Sequence, residues 1–129
     1  MIYDSLQNIS ERYKLGIIEA INIILSFKVE GIKQIVLFGS CARFEINISS
    51  DIDLLVVTEN PILDRILKSD MRSRAEELSS DLKADVVFST KEMLEESEML
   101  LYQFIREEGI LMWKEGVFTD EYKQLLPIS

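Results

Sequence analysis

Two aliphatic runs close together in the chain constrain its fold more than any other feature. Gln34 to Phe38 reads Gln-Ile-Val-Leu-Phe, and Asp51 to Thr58 reads Asp-Ile-Asp-Leu-Leu-Val-Val-Thr. Both are β-rich and apolar, as expected of buried strands. Helical patterns lie on either side of them. The first is predicted from about Asn8 to Phe27, with Asn8 as cap and Glu11 three residues on in a capping-box arrangement. Its apolar residues cover more than one stripe. Such a helix is either largely buried in its own domain or offers a second face to a partner or another copy of the chain.

Further along, Asn60-Pro61 marks a helix start, because proline at the first helical position has the right φ and loses no needed donor. That helix is predicted to run to about Ser80, with Leu63, Ile66, Leu67, Met71, Ala75 and Leu78 along its inner face. Lys83 to Phe88 is a third strand. Ser89 with Glu92 caps a helix expected from Thr90 to Glu107, whose inner face is Leu94, Leu101, Phe104 and Ile105. Gly109 stops it, Ile110 to Lys114 is a short fourth strand, and a last short helix lies between Phe118 and Leu126. The order predicts a layered α/β (α+β) fold, with one mixed sheet of about four strands flanked by helices. At 129 residues with no linker-like break, the chain reads as a single domain, 1–129.

Composition removes whole classes of chemistry. There is no histidine, which excludes Ser-His-Asp triads, His-ligated zinc and imidazole acid–base catalysis. One cysteine, Cys41, cannot form an intrachain disulfide or a paired-cysteine zinc site. Carboxylates and a hard cation such as Mg²⁺ remain. The net charge of −9 argues against duplex DNA as a partner, since little counterion release is available. No aliphatic stretch approaches the ~20 residues needed to cross a bilayer. Charged residues interrupt the N-terminal apolar positions, so no signal-peptide core is present and a cytoplasmic location is expected.

The informative segment runs from Val36 to Val56. A strand delivers Gly39 and Ser40, ten residues follow (Cys41 through Ser50), and Asp51 and Asp53 open the next strand. Side chains at i and i+2 of a strand share a face, so the two carboxylates point the same way, about 6–7 Å apart at Cα. A divalent cation relieves their repulsion, and two Mg²⁺ ions would serve in-line displacement at a phosphorus. Gly39 lets the backbone approach a bulky anion, Ser40 adds a hydroxyl, and Arg43 adds a guanidinium fork for a polyphosphate. Antiparallel pairing of the first two strands brings the loop and the carboxylates to one end of the sheet. If the following helix is a crossover, the third strand is parallel to the second and Asp85 arrives at the same end.

Gly-Ser, ten residues, then Asp-x-Asp entering an aliphatic strand resembles the signature of the DNA polymerase β-like nucleotidyltransferase superfamily. The short chain resembles in particular its minimal nucleotidyltransferases (MNT), from the N-terminal helix through the strand near Trp113, and Asp85 within Lys-Ala-Asp-Val-Val-Phe matches the family's third carboxylate. The resemblance implies that Asp51, Asp53 and Asp85 bind Mg²⁺ and are catalytic, and that Gly39, Ser40 and Arg43 hold the triphosphate. It implies transfer of AMP from ATP, with Asp85 helping to activate the attacking hydroxyl and pyrophosphate leaving. It further implies a role as the antitoxin that adenylylates a small helical HEPN toxin. Two positions depart from the family pattern: Cys41 stands where Arg is common and Phe44 where Gly is common. Two alternatives follow, a weakly catalytic module that neutralises a partner by contact, and an adenylyltransferase for a small molecule of antibiotic type. Acceptor, base preference and oligomeric state are left open by the sequence.

Overall fold

A computed structural model describes residues 9–42 and 51–127. Helix α1 (Glu11–Ser26) leads into β1 (Ile32–Phe38), the one-turn helix α2 (Gly39–Ala42) and β2 (Ile52–Thr58). Helix α3 (Arg65–Ala75), β3 (Ala84–Thr90) and two helices, α4 (Lys91–Glu96) and α5 (Leu100–Glu108), follow. The chain then forms β4 (Ile110–Lys114), β5 (Val117–Phe118) and α6 (Asp120–Lys123). The result is a mixed sheet of five strands in the order β3-β2-β1-β4-β5.

Pairing follows the expectation. β1 and β2 are antiparallel, and β2 and β3 are parallel across the α3 crossover. Side-chain alternation gives the sheet two apolar faces. Ile35, Leu37, Ile52, Leu54, Val56, Val86 and Met112 pack against α1, α3 and α6 in the larger core. Val36, Leu55 and Val57 face the other way and meet Tyr102 and Ile105 of α5. Along α1, Tyr13, Ile17, Ile21 and Ile24 are buried, and Ile18, Ile23 and Leu25 pack partly against the same core. The broad apolar surface of this helix therefore belongs mostly to its own fold, with Leu15 left exposed.

Several local expectations are corrected. Ser10, whose hydroxyl accepts from the Tyr13 N–H, caps α1; Asn8 lies outside the described residues. Asp64, accepting from Leu67 N–H at 3.0 Å, caps α3, so Pro61 precedes the helix instead of opening it. Leu63 and Ile66 consequently face solvent, while Met71, Ala75 and Leu78 are buried as expected. The helix expected from Thr90 to Glu107 is two. Thr90, not Ser89, caps the first by accepting from Met93 N–H, and the chain breaks at Ser97. Arg106 stabilises the break by donating to the carbonyls of Leu94 and Ser97, each at 2.8 Å. The break leaves Leu101 and Phe104 exposed, and Tyr102 takes the buried position beside Ile105. Among the described residues, no helix is long and apolar enough to cross a membrane.

Candidate functional site

The ends of β1, β2 and β3 meet at one edge of the fold. In the ladder, Phe38 lies opposite Asp53, and Asp53 opposite Asp85. Directly paired residues share a face, so Phe38, Asp53 and Asp85 form a row across three strands on the side occupied by α5. The parallel crossover thus delivers Asp85 to the Asp53 end. Asp51 stands two residues before Asp53, where Ile52 N–H donates to the Lys83 carbonyl at 2.9 Å and extends the ladder toward it.

Gly39 is the hinge between β1 and α2. Its φ is +73°, a left-handed conformation costly for any residue with a Cβ. A Cβ at this position would overlap an Asp53 carboxylate oxygen and lie 3.0 Å from the Asp53 carboxyl carbon. Backbone and carboxylate are therefore in contact. Ser40, half-buried, follows in the short turn of α2. Arg43 and Phe44 lie outside the described residues.

Cys41 sits beneath the site, fully buried, with its thiol donating weakly to the Asp51 carbonyl at 3.7 Å. Burial, then the negative charge of Asp53 and of Asp51, pushes the thiol up to about 12. That is the opposite of what a nucleophile needs, so Cys41 acts as a small apolar side chain in the larger core. Tyr13 of α1 is also raised, by burial and then by Cys41, with Asp51 adding to it against Arg12.

Among the described residues, Asp51, Asp53, Asp85 and Ser40 offer oxygen donors at this edge, which suits a hard cation such as Mg²⁺. Among the described residues, no three Cys, Asp or Glu side chains are gathered closely enough to hold an ion between them. Mg²⁺ commonly takes only one or two carboxylates and completes its shell with water and substrate phosphates, so this donor set fits a nucleotide-bound ion.

Beside the row lies a cavity of about 150 Å³, lined by Phe38, Gly39, Leu101, Phe104, Ile105 and Glu108. Sequence reasoning placed Leu101 and Phe104 in the core. The spacing of Leu101, Phe104 and Ile105 reads as one core-facing stripe, and the local hint against it is that the stripe runs on to the charged Glu108 just before Gly109.

The family model described as polymerase beta, nucleotidyltransferase matches residues 19–115. No match among curated proteins reaches significance. Three solved structures illustrate the likeness in fold. A nucleotidyltransferase structure from Sulfolobus solfataricus is 18% identical with TM-score 0.55, covering 81% of this chain and 84% of that one. A toxin–antitoxin complex with AMP-PNP is 23% identical with TM-score 0.54, covering 81% and 79%. The Shewanella oneidensis complex of a tri-AMPylated HEPN toxin with its MNT antitoxin is 21% identical with TM-score 0.53, covering 82% and 74%.

Proposed function

The chain belongs to the polymerase beta nucleotidyltransferase family, and from that premise we propose that it transfers AMP from ATP to a protein hydroxyl with Mg²⁺ as cofactor. The observation that carries the reading is the row Phe38–Asp53–Asp85 with the Gly39 backbone against Asp53. The row sets two carboxylates side by side at the end of β1, with the Gly39 backbone in contact with one of them, which supports reading this edge as the reaction centre. All of residues 1–129 act as one catalytic domain in this reading.

Asp51 and Asp53 would hold Mg²⁺, its shell completed by water and phosphate oxygens, with Asp85 beside them across the ladder. When bound, the ion would supply charge neutralisation on the triphosphate and polarisation at the α-phosphorus. The backbone at Gly39 and the Ser40 hydroxyl would orient the β- and γ-phosphates, with the Arg43 guanidinium as counter-charge. The acceptor oxygen attacks the α-phosphorus, the bond to the bridging oxygen breaks, and pyrophosphate leaves. Asp85 takes the hydroxyl proton as the new P–O bond forms. Holding both reactants in line is the main catalytic contribution of such a site.

A helical toxin of the HEPN type is the proposed acceptor, and the cytoplasm the proposed location. Support comes from the fold neighbours, one a toxin–antitoxin pair bound to AMP-PNP and another an AMPylated HEPN toxin with its MNT antitoxin. The net charge of −9 supports a protein acceptor over a nucleic-acid template. The test supplies ATP labelled at either the α- or the γ-phosphate, with Mg²⁺, to lysate of the source organism. Label from the α-position alone, on one protein band, is the expected result. Label reaching a small molecule or coming from the γ-position contradicts the proposal.

A further inference from the structure

We propose that the cavity between the end of β1 and α5 receives the base of the nucleotide donor, with Phe104 as its stacking face. The inference rests on the nucleotidyltransferase reading above and adds where the base goes and how it is chosen.

Gly39 is both a wall of the cavity and the residue whose backbone abuts Asp53. Phe38, another wall, is paired directly with Asp53. The cavity therefore begins one strand from the carboxylate row, on the β1 side, whereas Asp85 lies on the β3 side. Asp53 stands between them. An acceptor activated by Asp85 must enter from the β3 side, which leaves the β1 side to the donor.

Size and chemistry agree with a base. At about 150 Å³ the cavity is well below the ~300–1,000 Å³ of sites that enclose drug-sized ligands, and it suits a single planar ring system. Leu101 and Phe104 line it yet remain 38% and 51% exposed, so apolar and aromatic surface is left uncovered beside the charged row. A flat π-face on such a wall gains by stacking and area burial, which tolerate sequence because every base has a face. Purines bury more area than pyrimidines, so ATP and GTP should bind more tightly than CTP and UTP.

The experiment measures binding by calorimetry, with Mg²⁺, of ATP, GTP, CTP, UTP and inorganic tripolyphosphate. Wild type, Phe104→Ala and Leu101→Ala are compared after far-UV circular dichroism has shown them folded, which their exposed positions favour. Phe104→Ala should weaken ATP and GTP by roughly tenfold and narrow the purine preference, leaving tripolyphosphate unchanged. Leu101→Ala should act in the same direction with a smaller loss. If both variants bind ATP like wild type, or lose tripolyphosphate equally, the base is elsewhere and the inference fails. A change in sedimentation with unaltered ATP affinity would make this face a contact between copies and overturn it equally. Wild type that binds neither ATP nor tripolyphosphate overturns the nucleotidyltransferase site itself, a failure separable from the others.

Discussion

Gly39 and Asp53 occupy a space that only a residue without a side chain lets them share. With φ at +73° and the Asp53 carboxylate where a Cβ would stand, the backbone turn into α2 and the carboxylate of β2 are fitted to each other.

Gly39→Ala should therefore damage function more than folding. The left-handed φ costs about 1–2 kcal/mol with a Cβ, a loss of a few °C in Tm. The overlap is with the end of a side chain, which would turn away from the row while its backbone stays in the ladder. Label transfer from ATP should fall at least about tenfold while the far-UV spectrum stays native. Transfer at the wild-type rate would show that Asp53 does not need the position it holds.

Cys41 gives a pH signature. Its ordinary value is 9.0, and in the folded chain burial, with Asp53 and Asp51 behind it, raises it to about 12. Between these values the unfolded chain has lost a proton that the folded chain keeps, so stability falls as pH rises through the window. The contribution is intact below about pH 9 and should decline by up to about 1 kcal/mol per pH unit above it. Thermal unfolding of wild type and Cys41→Ala, compared from about pH 8 to about pH 10, should show the steeper fall in wild type. Parallel curves would refute the assignment. The native thiol should also resist alkylation that the denatured chain undergoes readily.

Gly109 governs where α5 sits. A Cβ there would lie 2.5 Å from the Ile105 carbonyl and 2.8 Å from Val36 Cγ1, between the helix end and the sheet. Gly109→Val should cost about 1–3 kcal/mol by overpacking, read as a lower urea midpoint. Because α5 also forms a wall of the Phe38–Phe104 cavity, ATP affinity should fall in the same variant. An unchanged midpoint would mean that the helix adjusts freely.

Much of this fold was legible in the chain, because buried strands advertise themselves. Ile35 to Leu37 and Leu54 to Val57 are continuous apolar runs, and the structure pairs them as expected. The placement of Asp85 followed from reading the helix after β2 as a crossover, which makes β3 parallel to β2 and brings the starts of both strands to one end of the sheet. Helix boundaries were less legible where two caps competed. Asp64 overrode Pro61, and Arg106 stabilised a break at Ser97 through contacts nine and twelve residues apart, which no local pattern displays. The fifth strand follows a two-residue turn, Glu115 at φ 49° and Gly116 at φ 94°, whose paired positive angles fit a tight hairpin. Its two-residue strand is too short for periodicity to reveal. The cavity wall at Phe104 was missed because the break shifts the phase of the helix, turning a residue expected in the core toward the site.

The most direct test of the account replaces the carboxylates themselves. Asp51→Asn with Asp53→Asn keeps the shape of both side chains and removes the charge that would hold Mg²⁺. Label transfer from α-labelled ATP should disappear in the double variant, with circular dichroism and Tm close to wild type. Transfer surviving at the wild-type level in a folded double variant would contradict the central claim that these two carboxylates carry the chemistry.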